Sequence, residues 1–138
     1  MQILFVCTGN TSRSPMAESL FNARRPDGVR AVSAGLTACG GKPMTENARA
    51  ILAEIGAETS HISVPISEEA VRQSDFVYGM TKEHAAALRS RFPLFSDKIF
   101  CFPVSVGDPY GCDLTVYRRC RDRISDGIEL ILREVCHA

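Results

Sequence analysis

Val6-Cys7-Thr8-Gly9-Asn10-Thr11-Ser12-Arg13-Ser14-Pro15 is the stretch from which the rest of the chain can be read. Ahead of it lies a short apolar run, Ile3-Leu4-Phe5-Val6. Behind it Met16, Ala17, Leu20 and Phe21 recur at helical spacing. The order is strand, loop, helix. Pro15 lacks an N–H and has a φ suited to a first helical turn, so Ser14 is the expected N-cap. The loop from Cys7 to Ser14 then turns backbone N–H groups inward and meets the positive end of the helix dipole. That makes a socket for a tetrahedral dianion, phosphate or another oxyanion.

The socket holds a thiol. A cysteine among backbone donors, at a helix N-terminus and near a guanidinium is held largely as the nucleophilic thiolate. Arg13 can fork two N–H groups onto two phosphate oxygens. Thr8, Gly9, Asn10, Thr11, Ser12 and Ser14 surround the same anion, and Gly9 and Asn10 tolerate the positive φ of a tight loop. The bare spacing of Cys7 to Arg13 recurs at Cys112 to Arg118. That copy lies in a helical pattern with Arg119 behind it, and is read as accidental.

Outward from the loop, strands and helices alternate. The first helix is expected from Pro15 to about Arg25, stopped by Pro26-Asp27-Gly28, with a second strand over Arg30–Ala34. Next comes a helix capped by Thr45 with Ala48, Ile51, Leu52 and Ile55 as its buried stripe and Gly56 as its stop. A short helix capped by Ser67, a strand over Asp75–Met80, a helix from Thr81 to about Arg91 and a strand over Ile99–Phe102 follow. The closing helix, about Asp113 to Val135, places apolar residues at 114, 117, 120, 124, 128, 131 and 135 on one face. This rhythm predicts an α/β fold, a three-layer doubly wound four-stranded parallel sheet with a phosphate-binding loop after the first strand. Ligands of such sheets sit beyond the carboxyl ends of the strands, where Cys7, Gly35, Thr81 and the segment after Phe102 fall.

The 138 residues suit a single domain, 1–138, with zero formal net charge. Nothing in that balance calls for a nucleic-acid or membrane partner. Of the 16 basic residues 13 are Arg, concentrated only over Arg118–Arg123, where a helix would spread them to several sides. There is no basic leader and no span near ~18 apolar residues, which predicts a cytoplasmic protein. The six cysteines form no CxxC and no zinc-like pairing with the three histidines. They are expected to be reduced and mostly buried, with no metal or cofactor.

A phosphoryl transfer to Cys7 needs an acid for the departing group. Asp108 opens Asp108-Pro109-Tyr110-Gly111 beyond the fourth strand, although Asp-Pro-x-Gly is also an ordinary turn sequence. Tyr110 can line the mouth of the site and stack on a substrate ring, or be a plain loop aromatic.

The run Val6 to Glu18 closely resembles the phosphate loop and following helix of the low-molecular-weight protein tyrosine phosphatases. The resemblance continues in order through Ser33-Ala34-Gly35, Ser60-His61, Met80 and Asp108–Gly111. It implies that Asp108 is the general acid, and then the base for hydrolysis of a cysteinyl-phosphate. It also implies that Asn10, Ser33 and His61 form a network supporting the loop, and that Ser14 donates to the cysteine sulfur. The family usually carries a second cysteine where this chain has Ser12. That cysteine can trap an oxidised nucleophile as a reversible disulfide, which serine cannot do.

The leading reading is therefore a Cys-dependent protein phosphatase acting on phosphotyrosine in a phosphorylated protein. A protein arginine phosphatase is the alternative. Tyrosine-specific relatives often have a bulky aliphatic residue at the position of Thr11, and the bacterial arginine phosphatases resemble this chain in having Thr there. An arsenate reductase would need a further cysteine pair on a mobile segment after the third strand, and Phe76 to Arg91 has none. A silent phosphate-binding module is the remaining reading, against which Cys7, Arg13 and Asp108 are all intact.

Overall fold

A computed structural model describes residues 1–137, and of residues 136 and 137 the backbone only. The elements run β1 (Gln2–Cys7), α1 (Arg13–Asn22), β2 (Arg30–Gly35), α2 (Glu46–Ala53), α3 (Glu68–Gln73), β3 (Phe76–Gly79), α4 (Lys82–Arg91), a 3-10 turn (Pro93–Lys98), β4 (Ile99–Cys101) and α5 (Leu114–His137). The four strands form one sheet in the order β2-β1-β3-β4, every pair parallel. The α/β fold read from the alternation is the observed one.

Because successive strand residues face opposite ways, β1 divides its side chains between two cores. Ile3, Phe5 and Cys7 pack with Met16, Phe21, Ile51, Tyr117 and Ile124 from α1, α2 and α5. Leu4 and Val6 pack with Val71, Val77, Ala85, Leu88 and Ile99 beneath α3 and α4. Helices thus cover both faces of an apolar central strand. The register sets Cys7 beside Gly35 and Val6 beside Gly79, so the ends of the inner strands form one rim.

Glycines let the layers close at that rim. A Cβ on Gly79 would overlap the backbone of His84 and Ala85, so α4 rests directly on the end of β3. On Gly35 it would meet the Thr8 carbonyl oxygen at 2.7 Å. Three of the predicted caps hold: the hydroxyls of Thr45, Ser67 and Thr81 accept from the backbone N–H groups of Ala48, Ala70 and His84.

Several expectations are corrected. The first helix is capped at Ser12, not Ser14, and makes no side-chain cap bond. Pro15 sits third in the helix, where its missing N–H still costs nothing because first-turn donors have no intrahelical partner. That helix ends at Asn22 and not near Arg25. Asn22 exchanges side-chain hydrogen bonds with both backbone groups of Ala31 (2.8 and 3.0 Å), which ties the helix end to β2.

Ile55 lies past the end of α2 and is half exposed, and Leu114 opens α5 facing solvent. The thiols are less buried than expected: Cys7 and Cys120 are buried, Cys101 is intermediate, and Cys39 and Cys112 are exposed. All five are free, and the Cys136 side chain lies outside the described residues. Among the described residues no helix is long and apolar enough to cross a membrane.

Candidate active site

Three loop carbonyls point outward. The oxygens of Cys7, Thr8 and Thr11 accept from the N–H groups of Leu36, Thr37 and Thr45 at 2.9 to 3.0 Å. A loop whose carbonyls are engaged outside presents its amides to the concave side, the geometry of an anion nest. The Asn10 N–H already points at Cys7 Sγ, 3.3 Å away.

Asn10 holds this shape. Its φ of 58° is the single left-handed value among the described non-glycine residues, and its side chain is fully buried. The amide Nδ2 donates to Ser14 Oγ (2.9 Å) and Ser33 Oγ (3.0 Å). Its Oδ1 accepts from the Val64 N–H and faces His61 Nε2, both at 2.8 Å. Glu18 closes the ring, accepting from Ser33 Oγ at 2.9 Å and facing His61 Nδ1 at 3.3 Å. Both His61 nitrogens therefore face oxygens. Asn10, Ser33 and His61 come together as the resemblance implied. Glu18 joins them although the sequence reading gave it no role.

Ser14 has a second contact. With its oxygen accepting from Asn10, its hydroxyl hydrogen is available to Cys7 Sγ at 2.9 Å. That is why Ser14 faces the socket and does not cap the helix.

Arg13, 8% exposed, lies beneath the segment after β4. Its guanidinium donates to the Val106 carbonyl (3.4 Å) and stands 3.7 Å from Asp108 Oδ2. Asp108 Oδ1 accepts from the Tyr110 N–H at 3.1 Å, and both side chains are largely solvent-facing. A cavity of about 210 Å³ is lined by residues 7 to 13 with Asp108 and Tyr110. All the sequence-predicted catalytic and phosphate-contacting positions except Ser14 line it, and Ser14 touches the nucleophile from behind. A larger cavity of about 510 Å³ lies on the same rim, between the start of α4 and residues 102 to 107, and shares Arg13.

Two further contacts, neither of them read from the sequence, support the loop. Ser12, Thr45 and Tyr117 form a triangle of hydroxyls at 3.2 to 3.4 Å, joining loop, α2 and α5. His84 Nε2 lies 2.9 Å from Thr8 Oγ1. A histidine three residues after the cap of a rim helix was the available signal.

Cys120 backs the acid segment, its thiol 4.0 Å from the Gly107 carbonyl. Burial pushes it up to about 11, so it stays a neutral thiol. Arg118, from the accidental second copy of the Cys–Arg spacing, is bound to Glu54, the residue that closes α2. Among the described residues no group of three His, Cys, Asp or Glu is placed to hold a metal.

The family model described as low molecular weight phosphotyrosine protein phosphatase matches residues 2–137. The chain is 35% identical to the protein-arginine-phosphatase of Geobacillus stearothermophilus, covering 97% of this chain and 95% of the relative. It superposes on the arginine phosphatase YwlE from Geobacillus stearothermophilus with a TM-score of 0.95 at 34% identity, covering 99% and 93% of the two chains. With the low molecular weight protein tyrosine phosphatase from T. tengcongensis the TM-score is 0.92 at 37% identity, covering 97% and 99%.

Proposed function

Because this chain belongs to the low molecular weight phosphotyrosine protein phosphatase family, and is thereby a Cys-based phosphatase, we propose that it dephosphorylates protein through a phosphoryl group carried on Cys7. The observation that carries the proposal is the convergence of Cys7, Arg13 and Asp108 on one oxyanion-sized cavity. The Cys7 thiolate attacks phosphorus in line with the leaving atom, forming the S–P bond as the bond to the substrate breaks. Loop amides and the Arg13 fork take the charge on the non-bridging oxygens. The phosphate displaces Asp108 from Arg13, and the protonated carboxyl gives its proton to the departing oxygen or nitrogen. Asp108, now a carboxylate, takes a proton from the water that cleaves the S–P bond. The Ser14 hydroxyl donates to the sulfur as it leaves as thiolate.

The substrate we infer is phosphoarginine. Thr11 is a small hydroxyl on the cavity wall, which leaves a guanidino group room and a polar contact, and the exposed Asp108 carboxylate can face the guanidine as it departs. One relative covered almost end to end, at 35% identity, is a protein-arginine-phosphatase and supports this reading; the tyrosine phosphatase from T. tengcongensis, 37% identical over a like span, supports the other. Phosphotyrosine is the second reading, favoured by Tyr110, whose exposed ring at the mouth suits stacking on a phenyl group.

Phosphate release from matched phosphoarginyl and phosphotyrosyl peptides decides between them. Preference for phosphoarginine, reversed in Thr11→Ile, supports the first; clear preference for phosphotyrosine with Thr11→Ile indifferent replaces it by the second. Stoichiometric phosphate binding without turnover of either would mean a silent module.

A further inference from the structure

His84 stands apart from the machinery assigned so far. It is the third residue of α4 and is 6% exposed, held under the rim because Gly79 lets the α4 backbone settle on β3. Its Nε2 is 2.9 Å from Thr8 Oγ1, and its Nδ1 is buried with no hydrogen-bond partner. Those two facts fix the tautomer. If Nδ1 carried the proton, a buried N–H would be orphaned, the costlier omission; with the proton on Nε2 only a lone pair goes unused. His84 then donates to Thr8 Oγ1, and the Thr8 hydroxyl hydrogen is free for another acceptor. Thr8 adjoins the nucleophile and lines the 210 Å³ cavity, so an oxyanion in the loop is an acceptor within its surroundings.

We propose that His84 is a positioning residue for the phosphatase reaction: as a neutral donor it fixes the Thr8 side chain so that the Thr8 hydroxyl donates to a phosphate oxygen beside Cys7. The inference rests on the reading that phosphate occupies this loop. The charged groups around the imidazole are Arg13 from α1, Glu83 on its own helix and Asp108 from the acid segment. Burial, reinforced by Arg13, holds the ring below its ordinary value against the opposing pull of Glu83 and Asp108, so the neutral form is the working one.

The test uses steady-state hydrolysis of a chromogenic aryl phosphate by the wild type, Cys7→Ala, Thr8→Val, His84→Leu, His84→Gln and the Thr8→Val/His84→Leu double variant, with melting temperatures recorded for each. Thr8→Val and His84→Leu should each lower kcat/KM about tenfold, the worth of one hydrogen bond at the phosphate. His84→Gln presents an amide N–H near the place of Nε2 and should stay within about threefold of wild type, with both limbs of its pH profile intact. The double variant should be no worse than either single.

Multiplying losses, a folded His84→Gln as poor as His84→Leu, an unaffected Thr8→Val, or a pH limb lost in His84→Gln would each overturn the proposal. Should His84→Leu not fold, Thr8→Val and His84→Gln decide it by themselves. Failure of the underlying reading has its own signature, turnover by Cys7→Ala.

Discussion

Asn10 carries more of the site than its size suggests. Four hydrogen bonds of its amide span the phosphate loop, β2 and the segment at residues 61 to 64, while its backbone stays at a φ that few L-residues accept. Asn10→Ala removes every side-chain bond and keeps the strain. It should cost about 2–4 kcal/mol of stability in denaturant unfolding, together with most of the activity. His84 makes a pH-dependent contribution of the opposite character. Its folded-state value is lowered from the ordinary 6.5, so as pH falls the unfolded chain takes up the proton first and stability is lost. That loss is absent well above 6.5 and grows below it. Urea midpoints at about pH 7.5 and about pH 5.5 should drop less in His84→Gln than in the wild type. An equal or larger drop would show that His84 is not buried neutral.

At the scale of elements, the acid segment is set by a helix that does not touch the substrate. Phe102, 3% exposed, leaves β4 and packs its ring against Gly127 in the middle of α5, where an added Cβ would overlap the ring outright. Gly127→Ala gains about 1 kcal/mol of helix propensity. It also forces Phe102 aside, at a cost of about 1–3 kcal/mol. Because residues 103 to 107 connect Phe102 to Asp108, the variant should lose activity beyond any stability change, and Phe102→Leu in the same chain should restore part of it. Unchanged kcat/KM in Gly127→Ala would mean that the acid segment is placed independently of α5. The helix boundaries show what periodicity could reveal. The stripe at 117, 120, 124, 128 and 131 is buried as its spacing implies. By contrast, Ile55 and Leu114 fit the pattern and stay outside, because a period says which face is apolar and not where a helix stops. The end of α1 was similarly hidden, since it depends on Asn22 bonding to Ala31 across a tertiary contact.

Across the whole molecule, the parallel four-stranded sheet, the rim and the meeting of Cys7, Arg13 and Asp108 were legible because each is announced locally: an apolar run, a loop between strand and helix, an Asp-Pro turn after the last strand. The order of the strands was not, since pairing is set by tertiary contacts. Glu18, His84 and Tyr117 were not, because each acts on the loop from a helix and is an ordinary helical residue in its own segment. The thiols followed the same division, with Cys39 and Cys112 exposed on loops that composition could not distinguish from the core. Ser12 bears on the redox behaviour of the molecule, since its hydroxyl is shared with Thr45 and Tyr117 where a second loop thiol would otherwise stand. Peroxide should therefore inactivate the enzyme with little recovery on adding thiol, and Ser12→Cys should gain recovery. Full thiol rescue of the wild type would mean that another cysteine reaches Cys7.

If the phosphoryl group passes through Cys7, rapid acid quenching during turnover followed by peptide mass analysis will find it there. With Asp108→Ala slowing breakdown of the intermediate, the mass of one phosphoryl group should be found on the peptide containing Cys7 and be absent in Cys7→Ala, which should not turn over. A phosphoryl group on another residue, or turnover by Cys7→Ala, would contradict the account.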